Sequence, residues 1–124
     1  MAELSSIGFK ETFVASGDLS NNQYQFVRLL DGNVYLADSG FADGVLQNKP
    51  KHQEHATVVV MGPTKILLNN SYGAGCLVGC NSGGWAQSAQ AGSPNNEGRK
   101  YGTLLVGTTS GGIGVLNFTQ VGST

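Results

Sequence analysis

Residues 44–68 read GVLQNKPKHQEHATVVVMGPTKILL, and the fold turns on how this stretch is laid out. Thr57-Val58-Val59-Val60-Met61 is rich in residues that favour the pleated, half-buried surface of a sheet. Gly62-Pro63 follows, and Thr64 to Leu68 is again strand-like. Pro fixes φ and Gly accepts backbone shapes that other residues avoid, so Gly-Pro between two such runs signals a turn. The stretch therefore predicts a central hairpin, Thr57 to Leu68, that seeds the core. Ahead of it, Gly44 to Gln47 reads as a short strand and Asn48 to His55 as a polar connection.

Working outward, Asp31-Gly32 separates two apolar runs, and both residues accept positive φ, which predicts a hairpin over Tyr24–Ala37. Ile7 to Val14 alternates imperfectly and reads as a first strand. Downstream, strands are expected within Ala74–Cys80, around Trp85–Ala89, and over Lys100–Val106 and Gly114–Val121. Residues 81–98, NSGGWAQSAQAGSPNNEG, read as a long Gly/Ser-rich loop. Apolar residues nowhere keep helical spacing for more than two turns. The expectation is an all-β, single-domain β-barrel or β-sandwich with long Gly/Ser-rich loops. Residues 1–15 are either an N-terminal arm or the first strand, and residues 16–124 are the barrel-like domain.

Composition agrees. The chain has 124 residues, enough for one core. Its 19 glycines are about double average usage, which favours turns over helices. Charged residues are 12%, about half the usual share, and the net charge is -1. A nucleic-acid partner would call for a basic excess and a basic stripe, and neither is present. Residues 1–6 carry no signal-peptide pattern, and no run is long and apolar enough for a membrane helix. The expected site of synthesis is a cytosol-like compartment. Low charge on a small domain also raises the expectation that partner subunits cover much of its surface.

Chemistry-bearing residues are sparse. Cys76 and Cys80 would lie roughly 13 Å apart on a strand at ~3.3 Å per residue, too far for a disulfide. They read as small buried hydrophobes. His52-Gln53-Glu54-His55 follows a Pro and precedes a strand, so a solvated loop is a stronger account than a metal site. Gly92 to Lys100 has the wrong spacing for a phosphate-binding loop and lacks the following Ser or Thr. The aromatics are dispersed, as core packing requires. Trp85 sits among Gly, Gln and Ser, and is either the anchor of its loop or a contact for a partner. No catalytic constellation, metal or cofactor is expected.

Taken together, DGNVYLAD, GVLQNKP, HATVVVMGPTKILL, YGAGCLVG and YGTLLVGTTSGG resemble the small capsid decoration (cement) proteins of tailed bacteriophages. That family's G-V-L-Q-N-x-P segment corresponds to Gly44–Pro50, and its strand, Gly-containing corner and strand to Val58–Ile66. Its turn-strand corresponds to Ala74–Val78, its Gly/Ser-rich segment to Ser82–Gly98, and its final strand pair to Gly102–Leu116. Cys76 departs from the Asp often found there, and the first 20 residues match nothing in the pattern. The resemblance implies a non-enzymatic virion protein on the capsid exterior, made in the host cytoplasm. It would clamp major capsid subunits where they meet, as a homo-oligomer with a trimer favoured, without nucleic acid or membrane. Candidate contact residues are Phe9, Phe13, Lys49, Lys51, Trp85 and Arg99. The alternative is a carbohydrate- or receptor-binding module built on Trp85 and its loop.

Overall fold

The computed structural model describes residues 9–37, 41–81, 83–88, 101–108 and 112–119, with the side chains of residues 9, 10 and 88 excepted. These residues form nine strands: β1 (Phe9–Ala15), β2 (Phe26–Leu30), β3 (Asn33–Leu36), β4 (Gly44–Leu46), β5 (His55–Leu68), β6 (Val78–Cys80), β7 (Ala86–Ser88), β8 (Gly102–Val106) and β9 (Gly112–Phe118). No helix occurs among the described residues. The all-β single domain expected from the sequence is what the chain forms, and of the two architectures it is the barrel.

The expected hairpin at Gly62-Pro63 does not exist. Residues 55–68 are one continuous 14-residue strand. Gly62 does take a positive φ of 101°, but the chain bends there without reversing. Its two halves find separate antiparallel partners far away in sequence. His55 to Met61 pair with β1, and Gly62 to Leu68 pair with β9. Pro63 is tolerated because, among the described residues, its strand neighbour is Asn117 of β9 on one side alone, so no second ladder there needs its missing N–H.

The first half of β5 completes a closed ring. The strand order β1-β3-β2-β4-β5 returns to β1 through the β1–β5 pairing, giving a five-stranded barrel without a free edge. The β1–β3 contact is parallel and the other four are antiparallel. The β2–β3 hairpin turns on Asp31 and Gly32, with φ of 54° and 81°, the pair of positive values that a type I′ turn requires. It begins at Phe26 rather than at Tyr24, because Tyr24 takes a φ of 66° and breaks the strand before it. Ala15, Leu19, Val27, Val34, Leu46, Ala56 and Val58 fill the barrel, with Phe13, Leu29, Leu36 and Val60 packed against them. Residues 9–15 thus belong to the barrel as its first strand. They are not a free arm, since Phe9 to Val14 pair with β5 and Val14 and Ala15 pair with β3.

The second half of β5 carries the remaining strands. β9 and β8 extend from it in antiparallel order, and β7 joins it at Leu68, in parallel, bringing its hairpin partner β6. A Leu77–Thr103 bridge and the hydrogen bond from Tyr101 N to the Val78 carbonyl (2.7 Å) tie the β6 side back to β8. This second layer closes over Ile66, Leu68, Val78, Cys80, Leu104 and Leu116. Phe26 and Val45, facing out of the first barrel, complete its core. Phe26, Tyr101 and Phe118 meet there at centroid distances of 5.5, 6.1 and 5.9 Å. Such aromatic pairs each contribute about 0.5–1.5 kcal/mol beyond their burial. β5 is therefore the shared wall of two packed cores.

Candidate functional site

Two apolar cores leave the function to the surface, and the loops show how it is arranged. The connection over residues 48–54 is firmly tied down. Asn48 donates from Nδ2 to the His55 carbonyl and accepts from Thr57 N at Oδ1, both at 3.0 Å. Leu19 N donates to the carbonyl of Pro50, which is itself buried. Glu54 Oε1 accepts from Lys51 N at 2.8 Å. With the backbone pinned, Lys49, Lys51 and His52 stand out into solvent. His52 accepts a hydrogen bond from Gly17 N at Nδ1 (2.9 Å), so its ring serves to join two loops. No group of three or more His, Cys, Asp or Glu side chains is placed to hold a metal among the described residues. Cys80 is buried in the second core and Cys76 packs at its margin, with no disulfide among the described residues.

Lys49 faces a cleft shared with Ser20, Asn21, Gln23, Tyr24, Leu67 and Ile113. Tyr24 is its aromatic member. Its backbone is clamped on both sides: Tyr24 N donates to the Leu46 carbonyl (2.7 Å), and Leu67 N donates to the Tyr24 carbonyl (2.8 Å). A bulky residue at positive φ costs about 1–2 kcal/mol, and it persists only where the surroundings impose it. The Lys65 ammonium lies 5.5 Å from the Tyr24 ring centroid, within cation–π range. Leu67 and Ile113 are cross-strand partners of β5 and β9 and form one apolar wall. Ile113 is 51% exposed.

Trp85 lies elsewhere, at the turn between β6 and β7. Asn81 builds this turn: its Oδ1 accepts from Gly83 N (2.8 Å) and Trp85 N (3.0 Å). The turn is sealed onto β2 by the bond from Phe26 N to the Gly84 carbonyl (2.9 Å). Gly84 combines a φ of +83° with a close approach, since a Cβ there would come within 2.8 Å of Leu36 Cδ1. The indole remains 38% exposed on a fixed base. A third feature is a shallow depression lined by Arg28, Leu30, Tyr35 and Leu36, with the Arg28 guanidinium 5.3 Å from the Phe41 ring centroid. Leu105 and Val106, about half exposed at the end of β8, add further apolar surface.

The six sequence candidates do not converge. Lys49 enters the Tyr24 cleft. Lys51 stands by Asp18, whose carboxyl is held below its ordinary range by hydrogen bonds from the Ser20 side chain and backbone, with a smaller contribution from Lys51. Trp85 sits on its own turn. Phe13 is half-buried against the barrel core. The Phe9 side chain and all of Arg99 lie outside the described residues. Sequence reasoning missed Tyr24, Lys65, Leu67 and Ile113. Tyr24 read as strand interior, and only a long-range hydrogen-bond clamp turns it out.

A scan against protein-family models finds no match, and a search of curated proteins by sequence finds none either. Among solved structures, the fold is similar to the N base of head fiber gp8.5 of bacteriophage phi29. The TM-score is 0.67 with 13% sequence identity, covering 90% of this chain and 94% of that one. At that identity the likeness establishes a common fold.

Proposed function

We propose that this chain is a structural protein of a tailed-bacteriophage virion, seated on the outer surface of the icosahedral capsid, where it clamps contacts between major capsid subunits. The observation that carries the proposal is the fold likeness, over nearly the whole of both chains, to the base of a phage head fiber. The sequence resemblance to capsid decoration proteins points the same way from independent residues. The surface supports it too. Exposed Leu30, Leu105, Val106 and Ile113 are apolar side chains that a partner would cover. A lattice repeats a modest interface many times, and that multiplicity supplies firm attachment without any single strong contact. The role is non-enzymatic, and the protein is a homo-oligomer, with a trimer the favoured state.

The test mixes purified protein with shells of the phage that encodes it, prepared without this chain. Co-sedimentation and a raised shell melting temperature are expected. Failure to sediment with shells, together with absence from native particles, would overturn the proposal. A second role, glycan binding, draws on one observation: Trp85 presents its indole from a rigid turn. Binding to a glycan array that is abolished by Trp85→Ala, with shell binding intact, would favour that role.

A further inference from the structure

Resting on the capsid-binding role above, we infer that the Tyr24 cleft is the seat of an acidic peptide segment of the capsid subunit beneath. The cleft combines three chemistries. Lys49 lines the cleft with Tyr24, and the Lys65 ammonium, 5.5 Å from the Tyr24 ring centroid, adds a second positive charge at its border. The ring itself, fixed by the two backbone hydrogen bonds through Leu46 and Leu67, offers a flat apolar face. Leu67 and Ile113, paired across β5 and β9, form an apolar wall in which Ile113 is 51% exposed.

Charge decides the occupant. Among the described residues no carboxylate lines the cleft, and neither Lys49 nor Lys65 forms an ion pair. The chain as a whole is at net charge -1 with only seven Lys and Arg, so two lysines beside one tyrosine, with no carboxylate among the described lining residues, make a local positive site. A carboxylate at the lysines, followed by an apolar side chain against Leu67 and Ile113, matches the charged and the apolar parts of the cleft, beside its polar lining of Ser20, Asn21 and Gln23. Nucleic acid fits poorly, because two cations make no track for a phosphate backbone. A free inorganic anion would leave the apolar wall bare. Lys49 is exposed and Lys65 half-buried, so neither charge is fully removed from water before a partner arrives.

The experiment uses the full chain and shells of the encoding phage lacking it. A zero-length carbodiimide crosslinker joins lysine to carboxylate only where the two are in contact. Mass spectrometry is expected to find Lys49 or Lys65 bonded to an Asp or Glu of the major capsid protein. Lys49→Glu with Lys65→Glu is expected to weaken shell binding at least about tenfold, because like charges then face each other across the interface. Lys49→Arg with Lys65→Arg is expected to retain it. Wild-type binding is expected to fall as salt rises from about 0.05 M to about 0.5 M. Thermal unfolding of each variant, unchanged from wild type, separates lost contact from lost fold. If wild type binds shells and the double Glu variant binds equally well while folded, the cleft assignment fails and the capsid role stands. Crosslinks solely to another copy of this chain, or to no carboxylate while shells are bound, also overturn the assignment. If wild type does not bind shells, the capsid role fails and this inference falls with it.

Discussion

Gly44→Ala tests the shared wall at its tightest point. A Cβ at position 44 would lie 2.4 Å from Val58 Cγ1 and 2.8 Å from the Val59 carbonyl oxygen. Carbon atoms pack best at about 3.5–4.0 Å, so the overlap exceeds about 1 Å. Neither neighbour can retreat freely, because Val58 is fully buried in the barrel and Val59 is paired with Val45 in the ladder. Gly44 has no positive φ, so backbone conformation does not enter. Overpacking costs about 1–3 kcal/mol. Backing β4 away from β5 loses one or two ladder hydrogen bonds, each about 0.5–1.5 kcal/mol. The expected destabilisation is about 3–4 kcal/mol. For 124 residues at about 2.1 cal/mol/K each, that lowers Tm by about 11–15 °C. Gly73→Ala is the control, with nothing within 4 Å of its Cβ and no positive φ, and is expected within about 0.5 kcal/mol of wild type. Denaturant unfolding of Gly44→Ala, Val58→Ala and the double variant gives the cycle. Removing Cγ1 relieves the side-chain overlap but leaves the carbonyl contact, so the double variant is expected to be less destabilised than the sum by about 1–2 kcal/mol. A Gly44→Ala protein as stable as wild type, or an additive cycle, would refute this account of the β4–β5 wall.

Other outcomes follow from the same packing. Deleting residues 1–14 removes nearly all of β1, whose partner register on β5 runs from Phe9–Met61 to Val14–His55, and is expected to abolish cooperative unfolding. A well-dispersed amide NMR spectrum after that deletion would restore the free-arm expectation. Tyr101→Phe leaves the buried Ala42 N–H without the Tyr101 hydroxyl that accepts from it at 3.0 Å, and is expected to cost about 1–3 kcal/mol in denaturant unfolding. Asp18 has a lowered pKa, so its contribution is present above the unfolded carboxylate value and is lost as pH falls through the lower folded value. Proton titration by NMR is expected to move Asp18 toward its ordinary value in Ser20→Ala, and an unmoved titration contradicts the hydrogen-bond cause.

What was legible in the sequence was local. Asp31-Gly32 specifies its turn from two adjacent residues, and the hairpin it predicts is present. The short strands expected at Gly44–Gln47, around Trp85–Ala89, and over Lys100–Val106 and Gly114–Val121 are present, with shifted bounds. Gly62-Pro63 carries the same kind of turn signal and was misread. The competing influence there is pairing with β1 and β9, partners about fifty residues away on either side that no local pattern announces. The surface followed the same division. Trp85 stood out by its polar neighbours, with loop anchor and partner contact both open, and Lys49 by its place in a polar connection; both are exposed. Tyr24 joined Lys65, Leu67 and Ile113 only through hydrogen bonds and register spanning the chain, so its cleft was invisible before the fold was known.

The most direct test of the capsid role is the copy number of this chain in purified particles of the phage that encodes it, by quantitative mass spectrometry against the major capsid protein. A fixed stoichiometric ratio, retained after washing, is the predicted result. Absence from particles, or a trace amount that varies between preparations, would contradict it.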